Sequence, residues 1–248
     1  AMGRKAKTLY VDGAERAGFG ESAREVQRLF MEGDRAGAAA ALSDELIQAI
    51  EAVASKRHDH GDSADPHWWQ DPRNAIAAVA AIRGALVAAD PGGRAEYDSN
   101  PRAYVERLRR LDRGVAACIG KIPPAQRKLV TTHDALGYYA DRYDIEVVGA
   151  LIPSRSTAAQ PSAGDTEDLV DQIERENVEA IFPESSLDPD FERAVSRETG
   201  ATVGRALWAD ALGPPGSDGA TYVESIQANT AALVDGLTGG ATRCRPSA

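Results

Sequence analysis

The rhythm of apolar positions along this chain changes near residue 128. Before that point apolar residues recur at helical spacing, and beyond it short β-rich runs alternate with helical stretches. Residues 8–50 are helical in pattern. Ala23, Val26, Leu29 and Phe30 share one face, GDRAG at 33–37 interrupts, and Leu42, Leu46, Ile47 and Ile50 form another face. SKRHDHGDSADP, residues 55–66, reads as a polar linker. A helix is predicted from Pro72 to about Ala89, lined by Ile76, Val79, Ile82, Leu86 and Val87, with Asp71 as its N-cap and Pro72 at its first position. After a DPGG turn at 90–93, a second long helix is expected over 101–120. Tyr104, Val105, Leu108, Leu111, Val115 and Ala116 recur along it, and Pro123 and Pro124 stop it.

From Lys128 onward KLVTTH, EVVGAL, AIFPES and TVGRALW read as strands. DALGYYADRY, TEDLVDQIEREN, DPDFERAVSRETG and Thr221 to about Leu237 read as helices. Such alternation predicts a parallel sheet covered by helices, an α/β lobe of about four strands. Ligands collect at the carboxyl ends of strands in open parallel sheets. His133 stands where the first strand ends, and Asp210 follows the last, in LWADALGPPGSD.

Composition narrows the classes. The chain has 248 residues, 43% of them hydrophobic and 27% charged, which suits a globular protein of one or two domains. Its longest apolar run, AIAAVAAIRGALVAA, is broken by Arg83 and is too short to cross a bilayer. A formal charge of -10 argues against a nucleic-acid partner, whose phosphates call for basic patches. AMGRKAK lacks the apolar core and cleavage site of a signal peptide, and Ala1-Met2 reads as a cloning remnant. That start neither shows nor excludes export. Cys118 and Cys244 are too few for a disulfide framework and lack metal-ligand spacing. They could pair, but two unpaired thiols are the expectation.

The chemistry gathers around ADPHWWQDPRNA, residues 64–75. Each proline pushes the residue before it, Asp65 or Asp71, into extended geometry, so His67 occupies a stiff loop ahead of a helix. Alone, His67 reads as a structural imidazole beneath a tryptophan lid. With His133 and Asp210 it forms a trio of two imidazoles and a carboxylate. These are common zinc ligands at roughly 2.0–2.2 Å, and three of them leave one coordination position open. Spacing by itself makes this a weak signal.

Longer stretches add to it. DPHWWQDPRNA, LVTTHDALGYYADRY, IFPESSLDPDFERAVSRETGATV and DALGPPGSDGATYVESIQANTAALVDGL occur in that order between about residues 64 and 239. This span resembles the metal-binding solute-binding proteins of zinc and manganese ABC importers. The resemblance implies two α/β lobes joined by a long helix, here 101–120, with metal in the cleft between the lobes. It implies His67, His133 and Asp210 as ligands. Histidine at position 133 points to zinc, with manganese less favoured, since imidazole suits zinc and carboxylate manganese. His58 and His60 resemble a shortened histidine-rich loop that gathers metal, although a solvated linker accounts for them equally well. Glu184, in FPES, is expected either to orient a ligand histidine from behind or to cap a helix. An ABC permease as partner, a periplasmic or other extracytoplasmic location and the absence of enzymatic activity are further implications.

Residues 10–50 resemble a late helical segment of luciferase-like oxidoreductases, over a much shorter span. The chain therefore reads as a fusion, with an atypical helical N-terminal region replacing most of the first lobe. Residues 1–63 would be a helical segment and linker, 64–100 a remnant of the first lobe, 101–120 the connecting helix, and 121–248 the C-terminal lobe with a flexible tail. Self-association through the helices at 8–50 and 72–89 is expected on this reading. A fold that has lost its metal, or a zinc hydrolase, are the alternatives. The hydrolase lacks HExxH or any comparable motif.

Overall fold

A computed structural model describes residues 65–89, 91–152, 163–187 and 189–248. The helical pattern over 8–50, the linker, and His58 and His60 lie outside the described residues. The chain divides into two compact units. One is Ala1–Ala64 with Asn74–Glu106, and the other is Asp65–Arg73 with Arg107–Ala248. Residues 65–73, which carry His67, thus belong with the C-terminal unit.

Helix α1 (Pro72–Ala89), which from Asn74 onward belongs to the first unit, begins as its sequence predicts. Asp71 is extended, at φ -96° and ψ 117°, and its carboxylate accepts the Arg73 N–H at 2.8 Å, satisfying a donor of the first turn. A short 3-10 turn, Pro91–Gly93, leads into α2 (Arg94–Ser99). Arg83 donates from Nε to Asp98 at 2.7 Å, tying α1 to α2. Helix α3 (Arg102–Ile119) then leads into the second unit, where Leu108, Leu111, Val115, Cys118 and Ile119 form its buried stripe. Ala116, expected on that face, is exposed. The stripe steps from 115 to 118 and 119 instead, as a 3.6-residue period requires.

The second unit is built on strands β1 (Lys128–His133), β2 (Glu146–Ile152), β3 (Ala180–Phe182) and β4 (Thr202–Val203). They lie in the order β2-β1-β3-β4, all parallel. Helices α4 (Gly137–Tyr143), α5 (Ala163–Glu176), α6 (Asp190–Thr199) and α7 (Tyr222–Leu237) complete the expected alternation. Val130, Val148, Leu151 and Ile181 of the strands meet Leu169, Val170, Ile173 and Val195 of the helices in one buried cluster. On α7, Gly236 lets the helix approach the sheet, since a Cβ there would lie 2.7 Å from Phe182 Cζ. Thr221 caps α7, accepting the Glu224 N–H at 3.3 Å while donating to the Glu224 carboxylate at 2.8 Å.

Strand β3 ends earlier than AIFPES suggested because Pro183 has no N–H to offer the ladder. Pairing resumes one residue later as an isolated parallel bridge between Glu184 and Leu207. Helix α4 likewise starts at Gly137, so Asp134–Leu136 form the turn that leaves β1. No described helix is long and apolar enough to cross a membrane.

The unpaired thiols expected from the sequence are corrected, because Cys118 and Cys244 form a disulfide across 126 residues. The tail expected to be flexible is fastened on α3 and α7. Gly114 leaves room for it, since a Cβ there would meet Ser247 O at 2.7 Å, and Gln227 donates to Pro246 O at 2.7 Å. Neither contact is visible in spacing along the chain.

Candidate metal centre

His67, His133 and Asp210 all belong to the second unit, each delivered by a different element. His67 precedes the 3-10 turn Trp68–Gln70. Asp65 Oδ1 accepts both its backbone N–H, at 2.9 Å, and its Nδ1, at 2.7 Å. With Nδ1–H held by a carboxylate, Nε2 keeps the lone pair. That atom lies 3.4 Å from Asp210 Oδ1. Trp69 packs edge-on against the imidazole, with ring centroids 5.5 Å apart. Trp68 packs on Trp69.

His133 is the last residue of β1. The chain passes from β1 to β2 on one side and returns to β3 on the other, so β1 and β3 flank the point where strand order reverses. A crevice opens there at the carboxyl ends. Glu184, just past β3, places Oε2 2.7 Å from His133 Nδ1. Its other oxygen accepts the Ser186 hydroxyl at 2.6 Å. His133 Nε2 then faces Asp210 Oδ2 at 3.4 Å.

Asp210 is set by the segment that carries it. Two residues earlier, the buried Asn229 of α7 reads both backbone groups of Trp208, accepting its N–H at 2.8 Å and donating to its carbonyl at 2.8 Å. The loop then wraps the indole. A Cβ on Gly219 would come 2.3 Å from Trp208 Cε2, and Gly213 N–H donates to Gly219 O at 2.8 Å. The loops bearing His67 and Asp210 are joined directly. Trp69 Nε1 and Gln70 Nε2 both donate to Ala209 O, at 3.1 and 3.0 Å, and Tyr222 donates to Trp69 O at 2.7 Å.

The candidate ligand atoms lie within 4.8 Å of one another. The imidazoles are 3% and 1% exposed and the carboxylate 37%, so the histidines form the floor and Asp210 the mouth. Beside Asp210 opens a cleft of about 320 Å³ lined by Trp69, Trp208, Leu212 and Tyr222. Both 3.4 Å separations exceed the usual N–H···O range. They match the spacing of two ligands held about 2.1 Å from one tetrahedral ion, which is ~3.4 Å. Among the described residues the buried His133 Nε2 has no hydrogen-bond partner, which leaves it open to a proton or a metal ion.

Electrostatics agree with that fit. Burial opposes charge on His133, but the adjacent Asp210 and Glu184 carboxylates outweigh it and push its pKa up to about 9. Asp210 is held below its ordinary value by His133, against the opposing effect of burial. Three carboxylates, those of Asp65, Glu184 and Asp210, thus surround two imidazoles, a charge balance that suits a dication.

Glu184 stands behind His133, its Oε2 2.7 Å from Nδ1, the place from which a carboxylate can orient that ring. Asp65 was missed as the partner of His67. Its signal was an aspartate two residues before the histidine, the spacing of a side-chain turn, read only as a residue extended by its proline. Asn229 left no signal, because it is one of several polar residues in its helix and lies 19 residues beyond Asp210.

A family model described as zinc-uptake complex component A, periplasmic, matches residues 17–236. Manganese-binding lipoprotein MntA of Halalkalibacterium halodurans is 29% identical over 194 residues, 78% of this chain and 64% of that one. Zinc-binding protein TroA of Treponema pallidum is 33% identical over 178 residues, covering 70% and 57% respectively. The solved structure of TroA superposes with a TM-score of 0.72 at 28% identity, covering 84% of this chain and 78% of TroA. Iron-binding protein YfeA of Yersinia pestis is 31% identical over 174 residues, 70% of this chain and 55% of that one. This chain spans less than two thirds of the length of these curated relatives. The family match takes in residues 17–50, so the luciferase-like resemblance of the N-terminal stretch, and the fusion drawn from it, find no support. Self-association gains none either.

Proposed function

Because the chain belongs to the family of the periplasmic zinc-uptake component A, we propose that it captures a divalent transition-metal ion, zinc foremost, and delivers it to an ABC permease. The observation that carries this reading is the buried Nε2 of His133, without a hydrogen-bond partner among the described residues and 3.4 Å from the Asp210 carboxylate that His67 also faces. Three protein ligands leave one position for water or a further ligand, so the ion is held without being caged. No bond in a substrate is made or broken.

Relatives are named for zinc, manganese and iron. Two imidazoles beside one carboxylate favour zinc over manganese, which prefers an oxygen-rich shell. An extracytoplasmic site of action agrees with the periplasmic and lipoprotein names of the relatives and with the Cys118–Cys244 disulfide, a bond that persists in oxidising compartments.

Calorimetric titration with zinc tests the assignment. The parent chain is expected to bind one ion, and His133→Ala and Asp210→Ala to bind about 100-fold more weakly or not at all, since each removes one of three ligands. Variants that bind as tightly as the parent would place the ion elsewhere.

A further inference from the structure

Glu192, in the first turn of α6, is 1% exposed, and among the described residues its Oε2 has no hydrogen-bond partner. Burying a carboxylate with so few partners is unfavourable, and an apolar side chain of similar size is the more stable choice at such a place. Its other oxygen accepts the hydroxyl of Thr132, the neighbour of His133 on β1. The Thr132 oxygen in turn accepts the Glu184 N–H at 2.9 Å. A hydroxyl has one proton to give. Committing that proton to Glu192 turns a lone pair toward Glu184.

That N–H has particular need of a partner. The backbone pairing of β1 with β3 ends at Thr131 and Phe182, so the Glu184 N–H is met by the Thr132 side chain instead of by a strand. We infer that Glu192 is a positioning residue for the metal centre: through Thr132 it fixes the backbone of Glu184, and thereby the carboxylate that holds His133 with Nε2 toward Asp210. The inference rests on the metal-binding reading proposed above. It assigns a purpose to a buried carboxylate that touches none of the three candidate ligands.

Glu192→Leu removes the acceptor and keeps the apolar bulk, Glu192→Gln keeps an acceptor oxygen, and Thr132→Val removes the hydroxyl. Two quantities are read on each variant and on the Leu/Val double variant. One is zinc affinity, by competition with a chromophoric chelator. The other is water exchange of the His133 Nδ1–H proton in metal-free protein, by NMR on nitrogen-labelled imidazole. Glu192→Leu and Thr132→Val are each expected to weaken zinc by about tenfold, Glu192→Gln by less than about threefold, with the double variant no weaker than either single one. The Nδ1–H proton is expected to exchange faster in Glu192→Leu than in the parent. Undiminished zinc affinity in Glu192→Leu would overturn the inference. So would losses that multiply in the double variant, or an unchanged His133 resonance beside a lowered melting temperature. If the parent itself fails to bind zinc, the metal-binding reading fails, and the metal-free resonance alone supports or overturns the role of Glu192.

Discussion

The behaviour of the centre turns on the two nitrogens of each imidazole. Asp65 and Glu184 each occupy an Nδ1 at 2.7 Å, which fixes the tautomer and turns both Nε2 atoms toward Asp210. In the metal-free protein burial works against charge on His133, but the Asp210 and Glu184 carboxylates push its pKa up to about 9 from the ordinary 6.5. A pKa raised by folding adds stability that is complete below the unfolded value and is lost as pH rises through about 9. The same proton competes with metal, so zinc affinity is expected to fall as pH drops below 9, by up to about tenfold per unit. At pH 7.5 capture should release about one proton from His133. Calorimetry in buffers of different ionisation enthalpy measures that proton directly, and a heat independent of buffer would show that the ion displaces no proton from His133 Nε2.

At the scale of elements, the centre joins two loops and the end of one strand. β1 ends where the strand order reverses, which explains why the α/β rhythm alone put His133 at the ligand-collecting edge of the sheet. Asp210 depends on α7. Asn229 satisfies the N–H and the C=O of Trp208, and the indole then shapes the glycine-rich loop that follows. Asn229→Ala strips both backbone groups of their partner. It is expected to cost about 2 kcal/mol of stability and to weaken zinc binding by loosening the Asp210 segment. Urea unfolding beside a zinc titration checks both effects, and a variant with unchanged midpoint and affinity would remove Asn229 from the account.

At the scale of the whole molecule, the Cys118–Cys244 bridge closes a 126-residue loop around β1 to β4 and their helices. A loop of that size is stabilised by about 4–5 kcal/mol on chain-entropy grounds. Reduction, or Cys244→Ala, should lower the melting temperature by roughly 10 °C for a protein of this length. Melts with and without reductant measure it, and coincident curves would mean that the bridge does not constrain the unfolded chain. Local spacing was enough for the helices from Pro72 onward and for the four-stranded parallel sheet, whereas His67, His133 and Asp210 were picked out as a set only by the likeness of longer motifs. The helices and the sheet rest on local periodicity, prolines and strand ends, which are written in neighbouring positions. Tertiary structure alone decided the disulfide, the hold of Asn229 on Trp208, the closure of Trp69 and Gln70 on Ala209, and the path from Glu192 through Thr132 to Glu184. Each joins residues far apart in the chain, and a pairing made by folding leaves no period in the sequence to read.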